Sequence, residues 1–327
     1  MAGRRSTDHG AVADLARRFP LKRCVLVTGT TLLYLASSAQ GAPIDPSSST
    51  AGWTPIAYQT LLPDTFDDQA TGIPEADIVG STANPAFYYR FDDAGTPLTT
   101  DGAIAFRVRI GADKPPSGFD HYLGIGLDAN QDGALDLFLA VDNSGNPDRV
   151  GIFDAGPGAN TSPSTTSIVT SPLFSYALSA GNFHFGPVNA TIDPTATTFD
   201  LDADGSIDYF VSFVIPFADV ISALSAQGIS GFTDTAVMRF VVGSSTQPNA
   251  LNQDLGGPTG GTSSAQTWGQ LGAISNPLSA GGGFAVPEPG TASLISLGLL
   301  AFTVRIRPAR VANRTAKRSA PIARLRR

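Results

Sequence analysis

The stretch AIAFRVRI, from Ala103 to Ile110, decides the fold. Apolar residues occupy every second position, so they share one face of an extended strand, while Arg107 and Arg109 lie on the opposite face. This period of two predicts a half-buried β-strand. The apolar face consists of Ile104, Phe106, Val108 and Ile110.

Similar short runs recur along the chain between turns rich in Gly, Pro, Asn and Asp. Residues 155–173 are rich in Ser, Thr, Pro and Gly and predict a long loop that can include a short strand. Residues 217–225, after Pro216, predict one short helix. The pattern predicts a mainly β protein with a single β-sandwich domain of jelly-roll type over residues 55–270. Strands are expected at 56–62, 87–91, 103–110, 121–127, 135–141, 149–153, 174–178, 182–185, 197–201, 207–215 and 236–242.

Composition agrees with a β fold and shows that charge is segregated. Gly (35) and Pro (24) are frequent, whereas Glu occurs only at Glu75 and Glu288. The net charge of −7 hides a middle region of about −19, with 25 acidic and six basic residues, because the other 15 basic residues lie near the two ends. Such a field repels nucleic acid and attracts divalent cations, although it also keeps exported proteins soluble.

The N-terminal segment has the pattern of an export signal. Residues 1–23 are polar and basic, residues 24–36 form an apolar run, and small residues follow. We interpret 1–39 as a signal peptide with a long n-region, read by the Sec translocon, and 40–54 as a linker. Cys24, the single cysteine, lies in this apolar run, so the mature protein has no disulfide or thiolate chemistry.

Two loops repeat the pattern D-x-[DN]-x-D-G-x-x-D, 72 residues apart. Side chains at positions 1, 3 and 5 can converge on one cation, Gly at position 6 allows a sharp turn, and a carboxylate at position 9 can complete the ligand shell. Oxygen ligands of this number favour Ca²⁺ in a structural role; the alternative is that Asp, Asn and Gly simply form hairpin turns. The candidate ligands are Asp128, Asn130, Asp132 and Asp136 in the first loop, and Asp200, Asp202, Asp204 and Asp208 in the second.

Strand-like runs flank both loops, and position 12 is Leu139 or Val211 where an EF-hand has Glu. The nine-residue motif resembles the calcium loops of FG-GAP repeats and of thrombospondin type 3 repeats. That resemblance implies calcium binding by the loops and does not extend to the folds of those families.

The C-terminus contains Val286, Pro287, Glu288 and Pro289, followed by an uncharged run from 291 to 304 and nine basic residues after it. The two prolines keep the motif extended. The 14-residue run spans about 21 Å as a helix, against the roughly 30 Å apolar core of a bilayer. We predict a flexible stalk at 271–285, a membrane helix at about 290–306 and a cytoplasmic basic tail at 307–327.

This order of elements resembles the PEP-CTERM sorting signal of Gram-negative bacteria. The resemblance implies processing by an exosortase-type enzyme near the Pro-Glu-Pro motif, after an intermediate stage anchored in the inner membrane. The alternatives are an ordinary C-terminal anchor or a buried helix with a basic tail. The body also resembles some PEP-CTERM proteins without an assigned activity, over residues 124–145, 158–169, 208–220 and 245–257.

No catalytic motif stands out. The chain lacks G-x-S-x-G and H-E-x-x-H, the Gly-rich residues 255–262 lack the Lys of a phosphate loop, and the predicted mature region has two histidines, His121 and His184. We therefore expect no enzyme activity. The sequence predicts an exported, calcium-stabilised cell-surface or matrix protein, associated with exopolysaccharide and not with nucleic acid. The alternatives are a carbohydrate-binding module, with Trp53, Trp268, Tyr88 and Tyr89 as candidate contacts, and a secreted hydrolase.

Overall fold

A computed structural model describes residues 44–58, 64, 66, 68–92, 102–115, 117–145, 147–168, 171–257 and 265–279. The predicted signal peptide and the predicted sorting signal therefore lie outside the described residues. Within the described residues, no helix combines the length and apolar composition needed to cross a membrane.

The described residues form twelve strands and three helices, with two short 3₁₀ turns at Pro74–Ala76 and Pro163–Thr165. The helices are α1 (Gly156–Ala159), α2 (Phe217–Ala226) and α3 (Trp268–Leu271). The strands are β1 (Thr54–Pro55), β2 (Phe87–Asp92), β3 (Ala103–Ile110), β4 (Tyr122–Asp128), β5 (Leu137–Asp142), β6 (Arg149–Asp154), β7 (Phe174–Ala177), β8 (Phe183–Pro187), β9 (Tyr209–Pro216), β10 (Val237–Ser245), β11 (Asp254–Leu255) and β12 (Leu278–Ser279).

These strands form two antiparallel sheets that pack face to face. The first sheet has the order β1-β2-β3-β9-β8, and the second has the order β11-β10-β4-β5-β6-β7, with β12 also paired to β10. Apolar side chains from both sheets share one core, in which the rings of Phe106 on β3 and Phe240 on β10 lie 5.1 Å apart. The predicted mainly β sandwich is therefore confirmed.

The prediction that β3 is half-buried is wrong. The alternation is as expected, since Ile104, Phe106, Val108 and Ile110 face the core, but Arg107 and Arg109 are also fully buried. Arg107 donates to the carbonyl oxygens of Pro46 (2.8 Å) and Ser48 (2.7 Å), and its guanidinium lies 4.3 Å from the ring centre of Trp53. The segment predicted as a linker thus covers the outer face of the first sheet.

The outer face of the second sheet is covered too. Trp268 of α3 packs against Phe138 of β5, with 6.4 Å between the rings, and its indole N–H donates to the Ala159 carbonyl at 3.0 Å. The folded domain extends beyond the predicted boundary at residue 270. Ala273 and Leu278 are buried, and β12 pairs with β10. Both sheets are therefore covered on both faces.

Several predicted local structures differ from those observed. Residues 197–201, predicted as a strand, have no regular secondary structure, because their backbone turns into the second Asp loop. The region from 155 contains α1 and a 3₁₀ turn, with no strand among its described residues. Of the strand predicted at 56–62, the described residues 56–58 contribute only a bridge between Tyr58 and Ser275, and the observed strand lies just before it, at β1.

Candidate metal sites

The first Asp loop connects β4 to β5 and is closed by hydrogen bonds from its backbone to its carboxylates. Asp128, the last residue of β4, is fully buried, and its Oδ2 accepts the N–H of Gly133 at 3.1 Å. Oδ2 of Asp136 accepts the N–H of Ala129 at 2.8 Å. The carboxylates at positions 1 and 9 therefore hold the two ends of the loop together.

The second loop, which precedes β9, has the same hydrogen bonds. Gly205 donates to Asp200 Oδ2 at 3.1 Å, and Leu201 donates to Asp208 at 3.2 Å. In both loops the N–H at position 5 reaches the side chain at position 3, at 2.9 and 3.3 Å. The N–H at position 7 likewise reaches the carboxylate at position 5, at 2.8 and 2.6 Å. The repeated sequence therefore folds into a repeated structure.

The backbone also matches. Position 6 has φ of 87° at Gly133 and 93° at Gly205, which explains why Gly stands there. Position 4 is left-handed as well, with φ of 63° at Gln131 and 60° at Ala203, although neither is Gly. Residues other than glycine adopt a positive φ mainly where surrounding contacts hold the backbone in that conformation.

Each loop leaves one carboxylate oxygen without a partner. Oδ1 of Asp128 and Oδ1 of Asp200, both at position 1, are buried from solvent and accept no hydrogen bond. Buried carboxylate oxygens are normally satisfied, because leaving one unpaired costs about 1–3 kcal/mol or more. In the second loop, oxygens of Asp200, Asp202 and Asp208 lie within 4.8 Å of one another, a separation that one cation can bridge.

The electrostatics of the loops favour a bound positive charge. Burial raises the pKa of both Asp128 and Asp136, and repulsion from Asp132 raises each further. Burial raises the pKa of Asp202 to about 6, and Asp200 and Asp204 contribute to this rise. A cation bound among these carboxylates would remove the repulsion and return the pKa values to lower numbers.

Position 9 differs between the two loops. Burial raises the pKa of Asp208 to about 6 although Arg109 opposes the rise, and Arg109 Nη2 lies 2.6 Å from Asp208 Oδ2 in a fully buried ion pair. Arg109 also donates to the Thr198 carbonyl at 2.9 Å. Arg109 therefore attaches the second loop to β3, a role that the sequence pattern did not indicate. Asp136 has no such ion pair among the described residues.

The remaining candidate ligands are more accessible. Asn130, Asp132 and Asp204 are exposed, and Asp200, Asp202 and Asp136 are partly buried. Asn130 donates to Asp132 Oδ2 at 3.1 Å. Each loop thus combines a buried Oδ1 atom at position 1 with exposed groups through which an ion can enter.

His121 lies in a cluster of ionisable groups outside the two Asp loops. His121 is buried; its Nδ1 lies 2.5 Å from Asp120 Oδ1 and 3.6 Å from Glu75 Oε1. Burial raises the pKa of Glu75 to about 7, and Lys114 lies 3.2 Å from Asp120. This cluster, in which Glu75 and His121 are buried and Asp120 is exposed, was not anticipated, since its members come from separate segments of the chain.

A shallow cavity of about 280 Å³ lies beside the first loop. Its walls are mainly polar and contain no aromatic ring. They consist of Leu135, Asp136, Asp154, Ala155, Gly156, Pro157, Asn160 and Gln227. The cavity holds neither histidine.

Comparison with protein-family models identifies the PEP-CTERM protein-sorting motif at residues 285–307. Searches of curated proteins and of solved structures found no match. A sandwich domain followed by such a motif defines an exported protein with a C-terminal sorting signal. More particularly, the chain carries a PEP-CTERM sorting signal, and the match includes the predicted motif residues 286–289.

The motif implies processing by an exosortase and export through the cell envelope toward the surface. The likeness of the Asp loops to FG-GAP and thrombospondin type 3 loops stays a prediction.

Proposed function

We propose that this protein is a surface or extracellular-matrix protein whose β-sandwich is stabilised by Ca²⁺ in the two Asp loops. The observation that supports the proposal most directly is the common geometry of the loops, each with a buried, unpartnered Oδ1 at position 1. Asp128, Asn130, Asp132 and Asp136 would hold one ion, and Asp200, Asp202, Asp204 and Asp208 the other.

The ions would act structurally. In the first loop, Ca²⁺ would fix the β4–β5 hairpin at the point where Asp128 leaves the second sheet. In the second loop, it would fix the entry to β9, next to the buried Arg109–Asp208 pair of the first sheet. Extracellular calcium modules have dissociation constants of about 10⁻⁴–10⁻³ M, so the sites would fill after export in surroundings with millimolar Ca²⁺.

We expect Ca²⁺ to raise the melting temperature of the protein. An ion at a hundred times its dissociation constant contributes about 2.7 kcal/mol, which corresponds to a shift of roughly 5–10 °C for a domain of this size. Differential scanning calorimetry with Ca²⁺ and with a chelator measures the shift. Asp128→Asn and Asp200→Asn should each reduce it, because each removes the charge on the buried ligand.

The matched control is Asp148→Asn, since Asp148 is an exposed aspartate outside both loops. It removes the same charge and should leave the calcium-dependent shift intact. Identical melting curves in Ca²⁺ and in chelator for the unchanged protein would contradict the proposal.

Processing at the tail is the second part of the proposal. An exosortase-type enzyme would cut near Pro287, Glu288 and Pro289 after an intermediate stage in which the following apolar run is held in the inner membrane. Mass spectrometry of the protein from its native host should find a C-terminus close to this motif. A mature protein that still ends at Arg327 would rule out the cleavage.

Exopolysaccharide is the partner that we propose at the surface. Because the middle of the chain carries about −19, calcium bridging is a plausible route to acidic polymers. Co-sedimentation with host exopolysaccharide should occur in Ca²⁺ and diminish in chelator. Equal sedimentation with and without the polymer would contradict this partner.

No observation favours the carbohydrate-binding module over this proposal. Its four candidate aromatic contacts, Trp53, Trp268, Tyr88 and Tyr89, are all buried, with 2–6 % of their surface exposed. Sugar-binding platforms need exposed ring faces. The hydrolase alternative has no better support, because His121 is buried away from solvent.

A further inference from the structure

Four aspartates from distant parts of the sequence meet beside strand β11. Asp64, Asp68 and Asp77 lie between β1 and β2, and Asp254 begins β11. Carboxylate oxygens of Asp68, Asp77 and Asp254 all lie within 4.8 Å of one another. None of these residues belongs to the two repeated loops, and their spacing matches no motif.

Asp64 adds an oxygen that lacks a partner. Its side chain is 3 % exposed; Oδ1 accepts the N–H of Gly257 at 2.6 Å, while Oδ2 is buried and accepts no hydrogen bond. The strongest charge acting on Asp64 is that of Asp254, followed by Asp68 and Asp77. Asp64 therefore brings a buried, unpartnered oxygen close to the other three carboxylates.

The surrounding backbone holds this group in a fixed geometry. Asp254 accepts the N–H of Ile78 at 2.6 Å and that of Leu255 at 2.7 Å. Two further hydrogen bonds connect the same parts of the chain. The Ala70 N–H donates to the Gln253 carbonyl at 2.8 Å, and the Ser244 hydroxyl donates to the Ala76 carbonyl. The carboxylates are thus part of a built junction between the two sheets.

Tyr58 lies beside this group. Its hydroxyl is buried and has no hydrogen-bond partner, and burial together with the charges of Asp64 and Asp254 raises its pKa. A Cβ at Gly256 would lie 2.0 Å from the Tyr58 hydroxyl, and one at Gly257 would lie 2.9 Å from its ring. The consecutive glycines of this Gly-rich stretch therefore make room for Tyr58.

Asp64 and Asp254 are surrounded mainly by other acidic groups. Burial raises the pKa of Asp64 and of Asp254 well above the usual range, and no Lys or Arg of the described residues is among their principal electrostatic partners. Burying several carboxylates together costs several kcal/mol per ion unless a positive charge accompanies them. Every candidate donor is an oxygen, the ligand type that hard divalent cations prefer.

We propose that Asp64, Asp68, Asp77 and Asp254 form a third divalent-cation site, suited to Ca²⁺, which fastens the 64–77 segment to β11. An irregular group of carboxylates fits calcium better than magnesium, because magnesium requires near-octahedral geometry and retains several waters. The site is independent of the two Asp loops, and an ion there would link the segment beside the first sheet to the edge of the second.

The test counts bound calcium in the full-length protein. After chelation, the protein is titrated with Ca²⁺ by calorimetry, in its unchanged form and as an Asp128→Asn/Asp200→Asn double variant. We expect the unchanged protein to bind three ions and the double variant to keep one. Adding Asp254→Asn to the double variant should weaken the remaining site by more than roughly tenfold.

Asp68→Asn serves as a second variant, because Asp68 is only partly buried and its substitution disturbs the fold least. Asp148→Asn in the same background is the control and should retain the ion. A double variant that binds no calcium, beside an unchanged protein that binds two ions, would overturn the third site while leaving the loop proposal intact. A double variant that binds as many ions as the unchanged protein would instead refute the loop proposal.

Discussion

At the scale of single residues, the ionisable groups of this protein divide into paired and unpaired ones. Arg109 and Asp208 form a fully buried ion pair, and removing one partner of such a pair typically costs about 3–5 kcal/mol. The Oδ1 atoms of Asp128 and Asp200 have no such partner. The paired groups fix the positions of the loops, and the unpaired oxygens are the ones that an ion would satisfy.

His184 should make the stability of the folded protein depend on pH. Burial lowers its pKa, nearby Arg107 lowers it further, and Asp45 opposes the change. At this site the unfolded chain therefore binds a proton more readily than the folded protein does. The free energy of unfolding is unaffected by His184 above about pH 6.5, where the imidazole is neutral in both states, and it decreases as the pH falls below that value.

The expected result is that His184→Gln reduces the acid sensitivity of folding. Urea unfolding of both proteins between pH 5 and 7.5 measures it. The difference between the two curves is the relevant quantity, because buried aspartates with raised pKa values contribute the opposite slope to both proteins. Parallel curves over this range would contradict the role of His184.

At the scale of elements, the central strands are packed so closely that some positions exclude a side chain. Gly126 of β4 pairs with Phe138 on one side and Val241 on the other. A Cβ at this position would lie 2.6 Å from a methyl group of Val241 and 2.8 Å from one of Leu135. This glycine is needed for space and not for a turn.

Gly126→Ala should therefore destabilise the protein by about 1–3 kcal/mol, the usual cost of overpacking a core. Gly145→Ala is the matched control, since a Cβ there would meet no atom within 4 Å. Its effect should stay within about 0.5 kcal/mol. Chemical denaturation at constant calcium measures both, and equal stabilities of the two variants would refute the packing argument.

At the scale of the whole molecule, covering segments complete the sandwich. Residues 265–279 place Trp268 on the second sheet. They also form hydrogen bonds to two other parts of the chain: the Phe240 N–H donates to Ser275 Oγ at 2.9 Å, and the Asn276 N–H donates to the Ala57 carbonyl at 2.8 Å. Such a segment is part of the domain even though its composition resembles a stalk.

A chain that ends at Ser279 should keep the stability of the domain, whereas one that ends at residue 264 should lose more than about 3 kcal/mol. The loss corresponds to exposing the surface that Trp268 covers, since removing a buried Trp costs about 3–5 kcal/mol. Thermal unfolding of the two truncated proteins in Ca²⁺ compares them. Similar melting temperatures would show that the covering segment contributes little.

The sequence determined those features that depend on neighbouring residues. Alternating apolar residues predicted β3 at its observed bounds, Ala103–Ile110, and the nine-residue Asp pattern predicted two similar loops. The sorting motif at 285–307 was also readable, because it is a short linear segment. Each of these signals is local, so no knowledge of the fold was required.

Only the tertiary structure decided what covers the sheets and which distant charges meet. Arg107 and Arg109 read as solvent-facing because alternation says which face a residue is on and not what lies above that face. Trp53 and Trp268 were candidate surface contacts because they are among the few aromatic residues of suitable type, although both are buried. The junction of Asp64 with Asp254, 190 residues apart, left no trace in spacing, because long-range contacts arise from the path of the chain between elements.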